Sequence, residues 1–152
     1  MLTPRRRTLH LIDIENLAGS ARPSARVVRD LRNDYGARVQ PGDLVIVAAN
    51  HGAAPVVWWE WPGARHLPRS GPNGADEALL EVIRTEHAEQ RFDRVVIASG
   101  DAIFAMPAAE LARRGVSVAV VARRGSLARR LQLAAGTFEL IEASTIEMGK
   151  LA

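Results

Sequence analysis

Leu9–Leu17 reads Leu-His-Leu-Ile-Asp-Ile-Glu-Asn-Leu, and the reading of the whole chain turns on this stretch. Leu9, Leu11, Ile12 and Ile14 make a short apolar run, the pattern of a strand covered on both faces. Such a strand should carry no carboxylate, because burying an unpaired charge is costly. Asp13 stands at the end of the run all the same, with Glu15 and Asn16 directly behind it. In parallel α/β sheets ligands bind just outside the carboxyl ends of the strands, so Asp13 sits where chemistry is usually done. The competing reading is an Asp that only caps the helix after it.

Further runs of the same kind follow. Leu44–Ala49 reads as a second buried strand, Arg65–Pro68 as a weak third, Arg94–Ala98 as a fourth, Val116–Ala122 as a fifth and Phe138–Ile141 as a last. Helical spacing separates them. A helix starting near Ser20 or Pro23 carries Val27, Val28, Leu31 and Tyr35, with Gly36 as a left-handed stop. A short helix over Ala53–Trp61 has Pro55 in its first turn. Asp76–Arg91 shows the apolar stripe Leu79, Leu80, Val82 and Ile83. Phe104, Ala108 and Leu111 share a face of a helix that stops at Gly115, and Ser126 reads as the N-cap of a helix reaching about Ala135. Pro41-Gly42-Asp43 and Ser70–Ala75 read as turn and loop. Alternating strands and helices predict an α/β fold of three layers, a Rossmann-like, mostly parallel sheet with helices on both faces. Residues 9–142 are expected to form a single domain, preceded by a flexible basic segment over 1–8 and followed by a tail over 143–152.

The 152 residues, 47% of them hydrophobic, suffice for one ordered core. No apolar run is long enough to cross a membrane, and Arg5-Arg6-Arg7 is not followed by the pattern of a signal peptide, so a cytoplasmic location is the default. Without cysteine any metal must be held by oxygen or imidazole. The net charge is only +3; the sequence pI of ≈ 10.5 arises because Lys150 is the only lysine, and arginine stays charged to high pH. No glycine-rich dinucleotide fingerprint follows the first strand, and there is no P-loop.

On this architecture Asp13 ends strand one, Asp101 ends strand four and Asp76 opens the helix that feeds strand four. If strands one and four are neighbours where the strand order reverses, the three acids line one crevice. Clustered carboxylates raise one another's pKa unless a cation lies between them. Mg²⁺ and Mn²⁺ suit such hard oxygen sites.

Asp-Ile-Glu-Asn-Leu at 13–17, Gly-Ala-Asp at 74–76 with Leu79 following, Ser-Gly-Asp at 99–101 with Phe104, and Arg-Arg-Gly-Val-Ser-Val at 113–118 together resemble the NYN domain family of PIN-like nucleases. The resemblance implies a metal site of Asp13, Asp76 and Asp101, with Asn16 as a supporting polar group. It also implies Mg²⁺- or Mn²⁺-dependent cleavage of phosphodiesters, most often in RNA. The family pattern has a further Asp two residues after the Ser-Gly-Asp aspartate, where this chain has Ile103. That departure keeps a second reading open, a module that binds nucleic acid or a protein without cutting. Glu15, Glu77 and Ser99 are candidate supporting groups.

Arg123, Arg124, Arg129 and Arg130 flank Ser126 after strand five and would hold phosphates; a solvated helix face is the competing reading. Arg65 and Arg69 are candidates for the other bank of a groove, with His66 beside them. For Trp58, Trp59 and Trp61, core packing or a homodimer contact is preferred over stacking on bases. His10 reads as a satisfied core histidine, and His51, after strand two, as the histidine better placed for a site role.

Overall fold

The computed structural model describes residues 7–71 and 73–142. The expected tail over 143–152 and most of the expected N-terminal segment lie outside the described residues. Six strands form one all-parallel sheet: β1 (Thr8–Asp13), β2 (Leu44–Ala49), β3 (Arg65–Pro68), β4 (Arg94–Ala98), β5 (Ser117–Arg123) and β6 (Thr137–Ile141). Their order is β3-β2-β1-β4-β5-β6. The chain therefore winds outward from β1 first to one side and then to the other, and β1 and β4 are neighbours at the reversal. In register, Asp13 lies beside Ala48 of β2, and Ile12 beside Ala98 of β4.

Both faces are covered, as a parallel sheet requires. On one side α4 (Gly74–Thr85), α6 (Ala105–Arg113) and α7 (Arg129–Ala134) supply Leu79, Leu111 and Leu131, and the 3-10 turn before α6 supplies Phe104, to a cluster that includes Leu9, Leu11, Ile46 and Ile97. On the other, α1 (Ile14–Ala18), α2 (Ala25–Tyr35) and α3 (Ala54–Glu60) bring Leu17, Val28, Tyr35 and Val57 against Ile12, Val47, Val96 and Val121. Leu9 and Leu11 face one cluster and Ile12 the other, so β1 contributes to both cores.

The helix boundaries differ from expectation in four places. The stretch Asp76–Arg91 is two helices, since His87 has φ 52° and separates α4 from the short α5 (Ala88–Arg91). Gly36 is not left-handed; its φ of −56° continues α2 into a 3-10 turn over Gly36–Arg38. Ser126 does not cap α7, whose N-cap is Ala128 with no side-chain bond; its Oγ instead donates to the Arg123 carbonyl at 2.8 Å. The single turn of helix α1, directly after β1, has no counterpart in the apolar pattern. Trp61 is buried, Trp58 stacks on His66 with ring centroids 4.3 Å apart, and Trp59 is 82% exposed.

His10 is the satisfied core histidine expected. It is fully buried, with Nε2 2.9 Å from Asp43 Oδ2 and Nδ1 2.7 Å from the Tyr35 hydroxyl. A carboxylate only accepts, so Nε2–H donates to Asp43 and Nδ1 accepts from Tyr35. The network ties β1 to the end of α2 and the entry of β2. Burial holds the His10 pKa below 6.5 although Asp43 opposes it, and Arg94 adds to the lowering. For Asp43, burial works upward, but the N–H groups of Gln40 and Thr8 together with His10 outweigh it and hold the carboxyl below its usual value. Both depressed values act with the same sign, because the unfolded chain binds more protons. Stability is full above pH 6.5, falls as pH drops below it, and falls again under about pH 4. His10→Asn should lower stability at pH 7.5 by about 2 kcal/mol and flatten the decline between pH 7 and 5. Thermal melts across that range read both effects, and an unchanged slope would exclude His10 from the titration.

Candidate functional site

The crevice at the β1–β4 reversal is built by three short pieces of chain, each placed by its own local chemistry. Asp13 ends β1 and caps α1, its Oδ1 accepting from the Asn16 N–H at 3.3 Å. The capping reading and the site reading therefore describe one residue. Ser99, wholly buried after β4, donates from Oγ to Asp13 Oδ2 at 3.3 Å, and the same Oγ accepts from the Asp101 N–H at 3.2 Å. Asp101 caps the 3-10 turn over Ala102–Phe104, with Oδ1 accepting from the Ile103 N–H at 2.9 Å. Asn16 closes the arrangement from α1, its Oδ1 accepting from the Gly100 N–H at 2.9 Å.

Asp76 enters from the first turn of α4 and is 6% exposed. The helix can start here only because Gly74 lacks a Cβ, which would lie 2.8 Å from the Arg69 carbonyl oxygen. Oδ1 of Asp76 is buried and has no hydrogen-bond donor. Its neighbours Asp13 and Asp101 are themselves acids. Burial, and then Asp13 and Asp101, push the Asp76 carboxyl up to about 9, so without a cation it keeps its proton at neutral pH.

Asp13, Asn16, Asp76 and Asp101 line an open crevice of about 220 Å³, joined there by Glu15, Asn50, Arg69 and Asn73. Glu15 Oε1 accepts from the Asn50 N–H at 2.6 Å, and burial raises its pKa despite that bond. Asn50 is the residue that sequence reasoning missed. It is the first polar residue after the apolar run of β2, the same signal that singled out the end of β1.

The donor set fits a hard divalent cation. Asp76 Oδ1 is an orphaned buried oxygen beside two further carboxylates, and a cation would satisfy it where no donor does. Among the described residues no three His, Cys, Asp or Glu side chains form a ready-made cage. Mg²⁺ does not require one, since it is usually held by one or two carboxylates and keeps several waters.

Other candidates fall elsewhere. Glu77 is exposed and does not line the crevice. Arg69 lines it while pairing with Glu81 at 2.6 Å, whereas Arg65 pairs with Glu86 outside it. Arg124 pairs with Glu142 at 2.5 Å; Arg129 and Arg130 are exposed. Arg123 lies against α1's end, its buried Nε without a partner and 2.8 Å from where a Cβ on Gly19 would sit. Ser126 does not line the crevice; its carbonyl and hydroxyl both abut Gly100. His51 Nδ1 is 2.7 Å from Ser70 Oγ, exposed at the same end of the sheet. Ile103 is half-buried against the core cluster and is not part of the crevice lining.

A family model described as NYN domain matches residues 7–142. A crystal structure of a protein of unknown function from Vibrio parahaemolyticus shares the fold, with a TM-score of 0.64 at 16% identity over 93% of this chain and 96% of that one. No curated protein matches the chain. Among the described residues no helix is long and apolar enough to cross a membrane.

Proposed function

The chain belongs to the NYN domain family, a family of PIN-like nucleases, and from that premise we propose that it is a metal-dependent nuclease hydrolysing phosphodiester bonds in RNA. The observation that carries the reading is Asp76, an acid with a buried, donorless oxygen set beside Asp13 and Asp101 at the reversal of the sheet. Such an arrangement is costly without a cation and ordered with one.

Asp13, Asp76 and Asp101 are the residues that would hold Mg²⁺ or Mn²⁺. The bound ion would lower the pKa of water and offset the charge that develops on the phosphoryl oxygens. Ser99 and Asn16 fix the acids. Ser99 holds Asp13 through Oγ and the Asp101 backbone through the same atom, while Asn16 pins Gly100 between them. Arg123, Arg129 and Arg130 hold the phosphates on either side of the bond that is cut. Hydrolysis forms a bond from a water oxygen to phosphorus and breaks one to the leaving sugar oxygen, which takes up a proton. Glu15 is the acid at hand to pass it.

The place of Ile103 favours a second reading. With the side chain packed on the core, the family's further carboxylate is lost without replacement, and a fold that binds RNA without cutting it is the result. One assay separates the two. Wild-type protein with Mg²⁺ or Mn²⁺ should cleave a labelled single-stranded RNA, and Asp13→Asn should do so slower by about 100-fold or more. If folded wild type is no faster than Asp13→Asn, the nuclease reading fails and the binding module stands.

A further inference from the structure

The arginines of this chain divide by whether they hold a carboxylate. Arg29, Arg38, Arg65, Arg113 and Arg114 each pair with one. Arg22 does not. Its backbone N–H reaches Ser20 Oγ at 3.1 Å, but among the described residues its guanidinium has no hydrogen-bond or ion-pair partner. The position of this free cation is nevertheless defined. The guanidinium lies over the turn at Gly52, with Nη2 3.7 Å from the point where a Cβ would sit, and Asn50 Oδ1 is 3.2 Å from that point. Asn50 lines the acidic crevice and donates from Nδ2 to the Ala21 carbonyl at 2.8 Å. Arg22 is thus the next residue along a chain already tied to the crevice wall. At the other end of the same loop, over residues 19–24, the partnerless Arg123 guanidinium rests against Gly19. One loop beside the crevice therefore has an unpaired arginine at each end.

We propose that Arg22 is a phosphate-contacting residue of the RNA path, holding the backbone on the Asn50 side of the crevice while Arg123 holds it at the Gly19 side. The proposal rests on the nuclease reading but concerns a different act, where the strand lies rather than how it is cut. A carboxylate-lined crevice repels a polyanion, and cations at its rim offset that repulsion. A guanidinium without a protein partner keeps its fork of donors for phosphate oxygens. Each phosphate contact releases counterions and adds about 0.7 to the steepness of the log–log salt dependence for a single strand.

The experiment is fluorescence-anisotropy titration of a fluorescein-labelled oligouridylate at several salt concentrations. The protein carries Asp101→Asn throughout, so that the probe is not consumed. Adding Arg22→Ala should weaken binding roughly 3- to 10-fold and lower the salt slope by about 0.7. Arg22→Lys should keep the slope, because the charge remains. Arg84→Ala is the control. Arg84 is likewise exposed and without a described partner, but it sits at the far end of α4 beside the groove of Met106 and Leu111. It should change neither quantity. If Arg22→Ala keeps the parent slope while joint replacement of Arg123, Arg129 and Arg130 lowers it, the proposal is overturned and the nuclease reading survives. Arg22→Ala and Arg84→Ala lowering the slope equally would also overturn it, by reducing Arg22 to general surface charge. Should the parent bind no RNA at all, both fail together.

Discussion

Asp76→Asn should abolish the stabilisation of this protein by Mn²⁺ and reduce RNA cleavage by about 100-fold or more, while making the metal-free protein more stable. The three effects have one source. In chelator, the Asp76 carboxyl is held at about 9 by burial and by Asp13 and Asp101. A carboxyl raised in the folded state binds a proton that the unfolded chain has released. Its contribution is therefore full below the unfolded value of 3.8 and is lost as pH rises towards 9. Asparagine does not titrate, and its amide donates to the neighbouring carboxylates without the proton that Asp76 must take from solvent on folding. Relative to wild type, the variant should gain about 2–4 kcal/mol on going from pH 5 to pH 8. Melts at both pH values, with chelator and with Mn²⁺, measure all of this except cleavage. A Mn²⁺-induced rise in Tm that survives the substitution would remove Asp76 from the ligand set.

Much of the architecture was legible in the sequence because a parallel sheet leaves a strong mark. Strands covered on both faces must be apolar throughout, so Leu9–Ile12, Leu44–Ala49 and Arg94–Ala98 announce themselves. The acids at their ends stand out against that background, and the neighbouring of β1 and β4, expected only as a condition, is met in the fold. What escaped was set by tertiary contact. The single turn of α1 is too short to show a periodicity. The break at His87 occurs at a residue without the turn chemistry of Gly or Pro. Ser126 has the composition of a cap, yet the carbonyl of Arg123 takes its hydroxyl. Asn50 and Arg22 acquire their roles only when loops far apart in the chain meet. In a sequence so rich in arginine, Arg22 is set apart from other unpaired arginines such as Arg84 only by its place against Gly52 and Asn50 at the crevice wall.

The same dependence on close approach makes Gly100→Ala the most damaging small change at the site. The middle residue of Ser-Gly-Asp is hemmed in by backbone. A Cβ there would lie 2.2 Å from the Ser126 carbonyl oxygen and 2.6 Å from its carbon. A side chain could swing away from such an overlap, but a peptide group cannot. The loop from Arg123 to Ser126 would have to move, although the Ala128 N–H ties it to the Gly100 carbonyl at 2.8 Å. On the other side the Gly100 N–H would be pulled from Asn16 Oδ1. Overpacking of this kind costs about 2–4 kcal/mol, to be read from urea melts of the variant against wild type. The functional loss should exceed what instability alone explains, because the shift moves Asp101 and Arg123 together. Cleavage and RNA affinity should both fall at temperatures where the variant is still folded by circular dichroism. Ser126→Gly in the same background should not restore them, since it removes only the hydroxyl oxygen, 2.9 Å from that Cβ, and leaves the closer main-chain oxygen and carbon in place. A Gly100→Ala protein with wild-type stability and affinity would mean that the β5–α7 loop does not bear on the crevice, and would leave Ser99 and Asp101 as the functional residues of Ser-Gly-Asp.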